Sequence, residues 1–331
     1  MSVVDVHTHF VPLEIVEYFA SPDGPPGVSV ERREGRDPLI VHANGLRYPV
    51  FPLFHDAAAK VEQMDRDGID AAVVSVVPTL FLYELEPEET AHAHRVMNDA
   101  AAAYAERGAG RIAAMATVPL NDPAAAVAEL RRAHHELGLR GVEVGTSAGP
   151  LTLDAPELDP FFAAAAELGA PVMLHPYAMM LAEPEPGLRG FHLANVVGNP
   201  LETFVAASRL IVGGVLDRHP DLRVLLVHGG GSFPYQLGRL GHAYHARTET
   251  REVARREPAS YIDSFLFDTV IFDERALAFL IALAGEERVL FGTDAPFDMA
   301  DQSGLELVPR VAPDGAGRIL GGNAARCYGL A

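Results

Sequence analysis

The chain of 331 residues lacks several features that would place it in a particular class. Cys327 is its only cysteine, which excludes an intramolecular disulfide framework and a zinc site built from cysteines. No apolar run approaches the roughly 18 residues of a membrane span. The first residues also lack the basic and apolar regions of a secretory signal. We therefore expect a cytoplasmic globular protein that does not enter membranes.

Positive charge is also scarce. The sequence has 26 Lys and Arg against 45 Asp and Glu, a formal net charge of -19. This balance argues against a nucleic-acid partner and against binding to an anionic membrane surface. An anionic small-molecule substrate would need local positive charge, which gives weight to individual arginines.

Apolar, β-branched runs alternate along the chain with alanine-rich segments of helical period. The strand candidates are 3–7, 69–77, 111–118, 140–145, 171–175, 222–228, 264–270 and 288–293. The helix candidates are 56–67, 88–107, 122–137, 156–168, 199–218, 233–247 and 273–284. Eight strands alternating with helices predict an α/β protein of the (β/α)₈ TIM-barrel type. A doubly wound open sheet is the alternative, but no GxGxxG follows the first strand.

Residues 20–55 interrupt the first strand–helix unit with a stretch rich in proline, glycine and charge. We expect an inserted flap containing a hairpin, with 39–42 opposite 47–50 across a two-residue Asn44-Gly45 turn. A second irregular stretch, 177–197, follows the fifth strand. Because no linker is evident, we expect residues 1–331 to form a single domain.

Histidines and an aspartate follow several of the predicted strands. The first strand ends in His7 and His9, whose i, i+2 spacing points both side chains to one face. Three later strands end in His175, His228 and Asp294. Each of these alone has an ordinary structural explanation, such as a buried core histidine or an aspartate that caps a turn. Four separate strands ending in this way are hard to explain by packing.

In a barrel these five side chains surround one mouth. Imidazoles plus a carboxylate, with an open coordination position, make up a typical catalytic divalent-metal site. We predict that His7, His9, His175 and Asp294 contact the ion, and that His228 acts as an acid, a base or a polarising group. The remaining histidines, in helical or loop contexts, are predicted to be mostly solvated.

The chain resembles the amidohydrolase superfamily, and within it the branch of aminocarboxymuconate-semialdehyde decarboxylase and related nonoxidative decarboxylases. The motifs that carry this resemblance span nearly the whole sequence: DVHTHF (5–10), MDRDGID (64–70), MND (97–99), VPL (118–120), LHP (174–176), HGGGSF (228–233), GR (238–239), GTDAPF (292–297) and GNA (322–324). The resemblance implies an amidohydrolase-type barrel in which His7, His9, His175 and Asp294 hold one divalent metal, zinc or else manganese. It implies that His228 acts in catalysis, and in the decarboxylation hypothesis below Asp294 joins it in handling protons.

Lysine usage bears on the number of metal ions that the resemblance implies. Superfamily members with two metals usually bridge them with a carbamylated lysine on strand 4. Here that strand, 140–145, contains no lysine, and the only lysine, Lys60, lies in a helix-like segment. One metal is therefore expected, with Glu143 left open as a bridging group.

Two arginines are candidates for binding a substrate carboxylate, because a guanidinium group can bind it through two hydrogen bonds. Arg47 and Arg239 match positions that have this role in the resembled decarboxylases, and either could instead form an ordinary surface salt bridge. The resemblance implies that Arg239 reaches the neighbouring subunit's site in a homodimer. Phe297 and Met179-Met180 are expected in the pocket wall.

The resulting hypothesis is a metal-dependent nonoxidative decarboxylase acting on an unsaturated or aromatic carboxylic acid. The alternative is a hydrolase of an ester, lactone, thioester or amide that uses a metal-activated water. A third reading, a catalytically silent metal-binding protein, predicts that replacing His228 changes no activity. The chain departs from the resembled branch at Asn195, near a usual tryptophan, and at Ala295, where tyrosine is usual. The substrate is therefore less defined than the reaction.

Overall fold

A computed structural model of the chain describes residues 2–181 and 186–330, apart from the side chains at positions 180 and 181. Its strands are β1 (Val4–Phe10), β2 (Val28–Glu31), β3 (Leu39–His42), β4 (Arg47–Pro49), β5 (Ala71–Val76), β6 (Ile112–Ala114), β7 (Ala116–Thr117), β8 (Val142–Gly145), β9 (Ser147–Ala148), β10 (Leu151–Thr152), β11 (Val172–His175), β12 (Val224–Leu226), β13 (Phe265–Asp268) and β14 (Val289–Leu290).

The α-helices lie largely between the parallel strands. They are α1 (Leu13–Ala20), α2 (Pro52–His55), α3 (Ala57–Asp67), α4 (Pro87–Arg107), α5 (Pro123–His135), α6 (Asp159–Leu168), α7 (Ala178–Leu181), α8 (Asn199–Val212), α9 (Val215–Arg218), α10 (Phe233–Ala246), α11 (Glu274–Ala284), α12 (Gly304–Val311) and α13 (Asn323–Tyr328). No helix in the described ranges combines the length and the apolar character needed to cross a membrane.

The parallel strands close into a barrel. Hydrogen-bonded neighbours run from β1 through β5 to β6, and from β7 through β8, β11, β12 and β13 to β14. β6 and β7 are two parts of one barrel strand, separated at Met115. The ring closes where the Val6 and His9 amides donate to the carbonyls of Phe291 and Ala295, at 3.0 and 2.7 Å. The predicted (β/α)₈ barrel is confirmed, and each predicted strand region contributes one of its strands.

A bulge in β1 decides which of its residues face the barrel interior. The pairing with β5 moves three residues along β1, from Asp5 to Thr8, for two residues along β5. Before the bulge, Val4 and Val6 pack into the apolar cluster that fills the lower barrel. After it, His7 and His9 face inward. An extra residue in one strand re-aims the side chains that follow it, and here it brings two histidines to the mouth.

The predicted helices form with small changes at their ends. Asp122 caps α5 by accepting hydrogen bonds from the amides of Ala124 and Ala125, both at 3.1 Å. The helix predicted over 199–218 is instead two helices, α8 and α9. The chain turns between them at Gly214, whose φ of 73° is readily adopted only by glycine.

The insertion within 20–55 contains the expected hairpin of β3 and β4, with Ile40 opposite Tyr48. Two details differ from expectation. The turn has three residues, 43–45, because the His42 amide pairs with the Leu46 carbonyl at 2.9 Å. A further strand, β2, adds antiparallel to β3, so the insertion is a three-stranded sheet. This sheet carries Arg47 and Tyr48 to the mouth of the barrel.

Candidate metal and catalytic site

The ends of β1, β11, β12 and β14 bring together five side chains at the barrel mouth, which we call the histidine cluster: His7, His9, His175, His228 and Asp294. The ring centroids of His7 and His9 lie 5.1 Å apart, and those of His175 and His228 lie 5.0 Å apart. Asp294 Oδ1 lies 3.1 Å from His9 Nε2 and 3.4 Å from His7 Nε2. The structure therefore gathers all the metal and catalytic candidates named from the sequence.

Four atoms of the proposed metal ligands in the histidine cluster are buried without a hydrogen-bond partner outside the cluster in the described part of the chain. They are the Nε2 atoms of His7, His9 and His175, and Oδ1 of Asp294. Buried polar atoms are rarely left unpaired, because losing water without a new partner is costly. Three imidazole nitrogens and a carboxylate oxygen that converge in this way fit a divalent cation.

The second nitrogen of each ligand candidate sets the direction of its ring. His9 Nδ1 donates to the Val76 carbonyl at 3.1 Å, and His175 Nδ1 donates to the Pro176 carbonyl at 2.8 Å. With the proton on Nδ1, the Nε2 lone pair is free and points into the cluster. This is the tautomer that a metal-binding histidine needs.

Asp268, at the end of β13, supports the cluster from behind. Its Oδ2 accepts a hydrogen bond from His7 Nδ1 at 2.6 Å and from the His228 amide at 2.9 Å. Its Oδ1 accepts from the Gly229 amide at 2.7 Å. A carboxylate behind a metal-binding histidine orients the ring and raises its basicity. The sequence interpretation missed Asp268 because it ran this strand on to residue 270, although Asp268 also ends its strand.

Burial and neighbouring charge shift the pKa values within the cluster. Burial lowers the pKa of His175 well below its ordinary value, which keeps this ring neutral. Burial would also lower the pKa of His7, but the charge of Asp294 and the hydrogen bond to Asp268 raise it to about 10. Burial raises the pKa of Asp294, yet His7 and hydrogen bonds from the cluster hold it well below the usual range.

Both catalytic candidates have left-handed backbone conformations. The φ angle is 55° at His228 and 61° at Asp294. Such values are uncommon for residues other than glycine and occur often at functional sites. His228 is held by its amide hydrogen bond to Asp268, and its ring Nε2 lies 3.3 Å from Asp294 Oδ2. Asp294 thus turns one oxygen toward His7 and His9 and the other toward His228.

The glycines after His228 form a tight turn. Gly229, Gly230 and Gly231 all have positive φ, between 57° and 81°. A Cβ atom at Gly231 would lie 2.7 Å from the carbonyl oxygen of Pro200. Glycine therefore lets the chain leave β12 and enter α10 while the His228 ring faces the mouth.

A cavity of about 430 Å³ opens above the histidine cluster. Its walls are mainly aromatic and proline side chains, with a few polar groups, and it is lined by Leu46, Arg47, Tyr48, Pro49, Phe51, Phe54, Pro78, Thr79, His175, Pro176, Tyr177, His192, Asn195, Asn199, His228, Asp294, Pro296, Phe297, Asp298 and Met299. Phe297 lies in this wall, with its ring 5.2 Å from that of His9. The cavity has the size and composition of a small-molecule site.

The other sequence candidates fall in different places. Arg47 reaches the cavity from the insertion, with 57% of its side chain exposed and Glu31 3.8 Å away. Arg239 is exposed on α10 and does not line the cavity of its own chain. Met179 was expected in the wall but packs against Gly198 instead. The side chain of Met180 lies outside the described residues.

The prediction that the remaining histidines are mostly solvated is wrong for two of them. His94 is fully buried, and its Nε2 bonds to the Phe81 carbonyl at 2.8 Å. His42 is buried in the insertion, where its ring stacks on Tyr48. Both lie in packed positions outside the histidine cluster.

A parallel barrel with histidines and an aspartate at its carboxyl end defines the class of metal-dependent barrel enzymes. Within this class, the amidohydrolase family profile matches residues 4–330, and the chain belongs to that family. The predicted superfamily and branch are thereby confirmed.

Individual relatives agree with this placement. The chain is 34% identical over 279 residues to 2-amino-3-carboxymuconate-6-semialdehyde decarboxylase of Dictyostelium discoideum, covering 83% of this chain and 77% of the relative. It is 32% identical over 257 residues to gamma-resorcylate decarboxylase of Rhodococcus jostii, covering 72% and 77%. The crystal structure of Metarhizium anisopliae IDCase in apo form superposes with a TM-score of 0.83 at 26% identity, covering 99% and 97%.

Proposed function

We propose that the protein is a metal-dependent nonoxidative decarboxylase that acts on an unsaturated or aromatic carboxylic acid. The observation that carries this proposal is the convergence of four unpartnered donor atoms beside an acid–base pair, His228 and Asp294, under an aromatic-lined cavity. The named activities of the relatives, both decarboxylases, support the same reaction class.

We assign His7, His9, His175 and Asp294 as the residues that would hold one divalent cation. Three nitrogen donors and one oxygen donor suit Zn²⁺, and Mn²⁺ is the second candidate. When bound, the cation would act as a Lewis acid toward the substrate carboxylate and an adjacent oxygen.

His228 and Asp294 would handle the proton that replaces carbon dioxide. Their side chains lie 3.3 Å apart, within reach of direct proton transfer. Asp294 receives a proton from His228 and passes it to the carbon that bears the carboxylate, forming the new C–H bond. The bond to the carboxylate then breaks, its electron pair restores the conjugated system, and carbon dioxide leaves. His228 then takes up a proton from solvent, which replaces the proton retained in the product.

The cavity supports a flat, anionic substrate. Phe51, Phe54 and Phe297 present aromatic faces, and Arg47 supplies positive charge near the rim. An exposed guanidinium can bind a carboxylate through two hydrogen bonds. Asn195 lines the cavity, near the position where the resembled branch has tryptophan, and a smaller polar side chain there would admit a different substrate.

A cytoplasmic homodimer is part of the proposal. α8 and α10 pack against each other and expose Leu201, Val205 and Tyr235, with Arg239 one turn beyond Tyr235. A second copy covering this face would bury apolar surface and could bring its arginine to the neighbouring mouth. Replacement of Arg239 by Ala is then expected to weaken substrate binding while the metal is retained. Unchanged kcat and KM would remove this role.

The test of the function is carbon dioxide release by protein loaded with zinc or manganese. The panel contains unsaturated and hydroxyaromatic carboxylates, with ester and lactone hydrolysis followed in parallel. We expect metal-dependent release from at least one carboxylate, lost in His228→Ala. Hydrolysis of an ester or lactone without any carbon dioxide release would overturn the proposal in favour of a hydrolase.

A further inference from the structure

Tyr48 and Thr79 form a pair of hydroxyl groups in the wall of the cavity. Tyr48 lies on β4 of the insertion, and Thr79 lies in the short 3₁₀ helix Pro78–Leu80 that follows β5. Thr79 Oγ1 donates a hydrogen bond to the Tyr48 hydroxyl oxygen at 3.1 Å. The two hydroxyls therefore join the insertion to the barrel at the place where a substrate would lie.

The Tyr48 hydroxyl has a hydrogen of its own to donate. Its oxygen already accepts from Thr79, so its O–H bond is free to point elsewhere, and it meets no acceptor among the residues that the structure describes. Burial raises the pKa of Tyr48 above its ordinary value, although the hydrogen bond from Thr79 lowers it, so the hydroxyl stays protonated. The cavity wall thus contains a neutral hydrogen-bond donor without an acceptor.

The packing around Tyr48 fixes the direction of its ring. His42, on the neighbouring strand β3, stacks on this ring with centroids 6.0 Å apart and planes inclined by 29°. Burial lowers the pKa of His42 to about 4, so the imidazole is neutral and packs as an aromatic surface. A side chain that is held by stacking and by Thr79 loses little conformational freedom when a ligand binds. Such preorganisation suits a residue that selects between ligands.

The hydroxyl pair lies across the barrel mouth from His228. Around the ring the strands follow in the order β1, β5, β6 with β7, β8, β11, β12, β13 and β14, so β5 and β12 face each other. Thr79 follows β5, and His228 follows β12. A substrate whose reacting carbon lies beside His228 therefore directs its opposite edge toward Tyr48.

We propose that Tyr48, oriented by Thr79, selects substrates that carry an oxygen substituent on the edge opposite the reacting carboxylate. This inference rests on the proposed function and names its substrate class, an unsaturated or aromatic acid with a hydroxyl, carbonyl or ether oxygen at that edge. The Tyr48 O–H would donate a hydrogen bond to this oxygen. An acid that lacks the oxygen would leave the donor without its partner, and sites built around a polar group discriminate against ligands that lack it.

The test compares the binding of benzoate, 3-hydroxybenzoate and 4-hydroxybenzoate to protein loaded with zinc or manganese, measured by isothermal titration calorimetry. We expect at least one hydroxybenzoate to bind the wild type about five- to tenfold more tightly than benzoate, as one net hydrogen bond allows. Tyr48→Phe should remove this preference and leave the affinity for benzoate unchanged.

Variants of Thr79 test the orienting hydrogen bond. Thr79→Val should weaken the preference for the hydroxybenzoate, and Thr79→Ser, which keeps the hydroxyl, should retain it. Thr79→Val should cause no further loss when added to Tyr48→Phe, because the two hydroxyls act as one unit. Losses that add in the double variant would show that Thr79 does not act through Tyr48.

The matched control is Tyr104→Phe, which removes the same atom from a tyrosine that stacks on Phe10 and does not line the cavity. It should leave all three affinities unchanged. A preference that survives in Tyr48→Phe, or an equal loss of affinity for all three acids, would overturn the role of Tyr48. A wild type that shows no preference, or binds none of the acids, would overturn it equally. Carbon dioxide release by the wild type tests the proposed function separately, so the two failures are distinguishable.

Discussion

Two buried polar clusters of this barrel differ in how their polar atoms are paired. In the first, which we call the Asn98 network, Asn98 bonds to both backbone groups of Thr117 at 2.8 and 2.9 Å and to Glu129 at 2.7 Å. Arg132 donates two further hydrogen bonds to Glu129, one to each carboxylate oxygen. In the histidine cluster, by contrast, five buried atoms have no hydrogen-bond partner outside the cluster among the described residues.

The difference separates a structural role from a functional one. Both clusters lie near β strands of one barrel, and both contain residues that match motifs of the resembled branch. The buried polar atoms of the Asn98 network are all paired with protein atoms. Their hydrogen bonds link α4 and α5 to the third barrel strand. The histidine cluster leaves buried atoms unpaired, which is what the proposed cation site requires. The two clusters are therefore distinguished by whether their buried polar atoms have hydrogen-bond partners, more than by residue type.

The largest expected effect comes from removing two donors of the histidine cluster. His7→Ala combined with His9→Ala should abolish metal retention and reduce turnover to background, because half of the four proposed donors are lost. The barrel should still fold, as judged by circular dichroism. Full metal occupancy in this double variant would refute the assignment.

A smaller loss is expected when the support of the cluster is weakened. Asp268→Asn keeps the shape of the side chain but removes the charge that orients His7 and holds the His228 and Gly229 amides. We expect metal affinity or kcat to fall about 10- to 100-fold, the range seen when such supporting groups are lost. Values within twofold of wild type for both quantities would show that Asp268 is only a structural residue.

Arg47→Ala should have a milder effect at the rim of the cavity. Because the guanidinium is largely exposed, its contribution is screened, and we expect KM for an anionic substrate to rise about fivefold, or ~1 kcal/mol. kcat and metal content should be unchanged. Arg47→Lys, which keeps the charge, should recover part of the loss, and an unaltered KM in Arg47→Ala would exclude the contact.

The Asn98 network should show the opposite behaviour. Asn98→Ala leaves the buried Thr117 amide without its partner and removes one hydrogen bond from Glu129, so the free energy of unfolding should fall by about 1–3 kcal/mol. Metal affinity, measured with the folded variant, should equal that of wild type. Denaturant unfolding gives the first quantity and chelator competition the second. A loss of metal affinity as large as that expected for Asp268→Asn would contradict the distinction between the two clusters.

Much of this arrangement could be predicted from sequence because barrel strands carry their polar residues at one end. His7, His9, His175, His228 and Asp294 were found in this way, since each follows an apolar run. The bulge in β1 could not be predicted, because it depends on pairing with β5. β2 was missed because its four residues, VSVE, form a strand only by pairing with β3.

The hydrogen-bond partners of buried polar atoms also could not be predicted from the sequence. Glu143 was visible as a glutamate on the fourth strand, but its full burial beside His9 and His175 depends on residues from several strands. Met179 illustrates the converse, because a methionine after a barrel strand fits either a pocket wall or ordinary packing, and it packs on Gly198. Residue type and position predict which residues can take part in a site. The contacts that each side chain makes in the folded chain determine which of them do.

The most direct test of the account is a crystal structure of the protein grown with Mn²⁺ or Zn²⁺, with anomalous scattering recorded at the metal edge. The account predicts one strong peak at ligand distance from the Nε2 atoms of His7, His9 and His175 and from Oδ1 of Asp294. No peak at the barrel mouth, or an ion held by other residues, would contradict it.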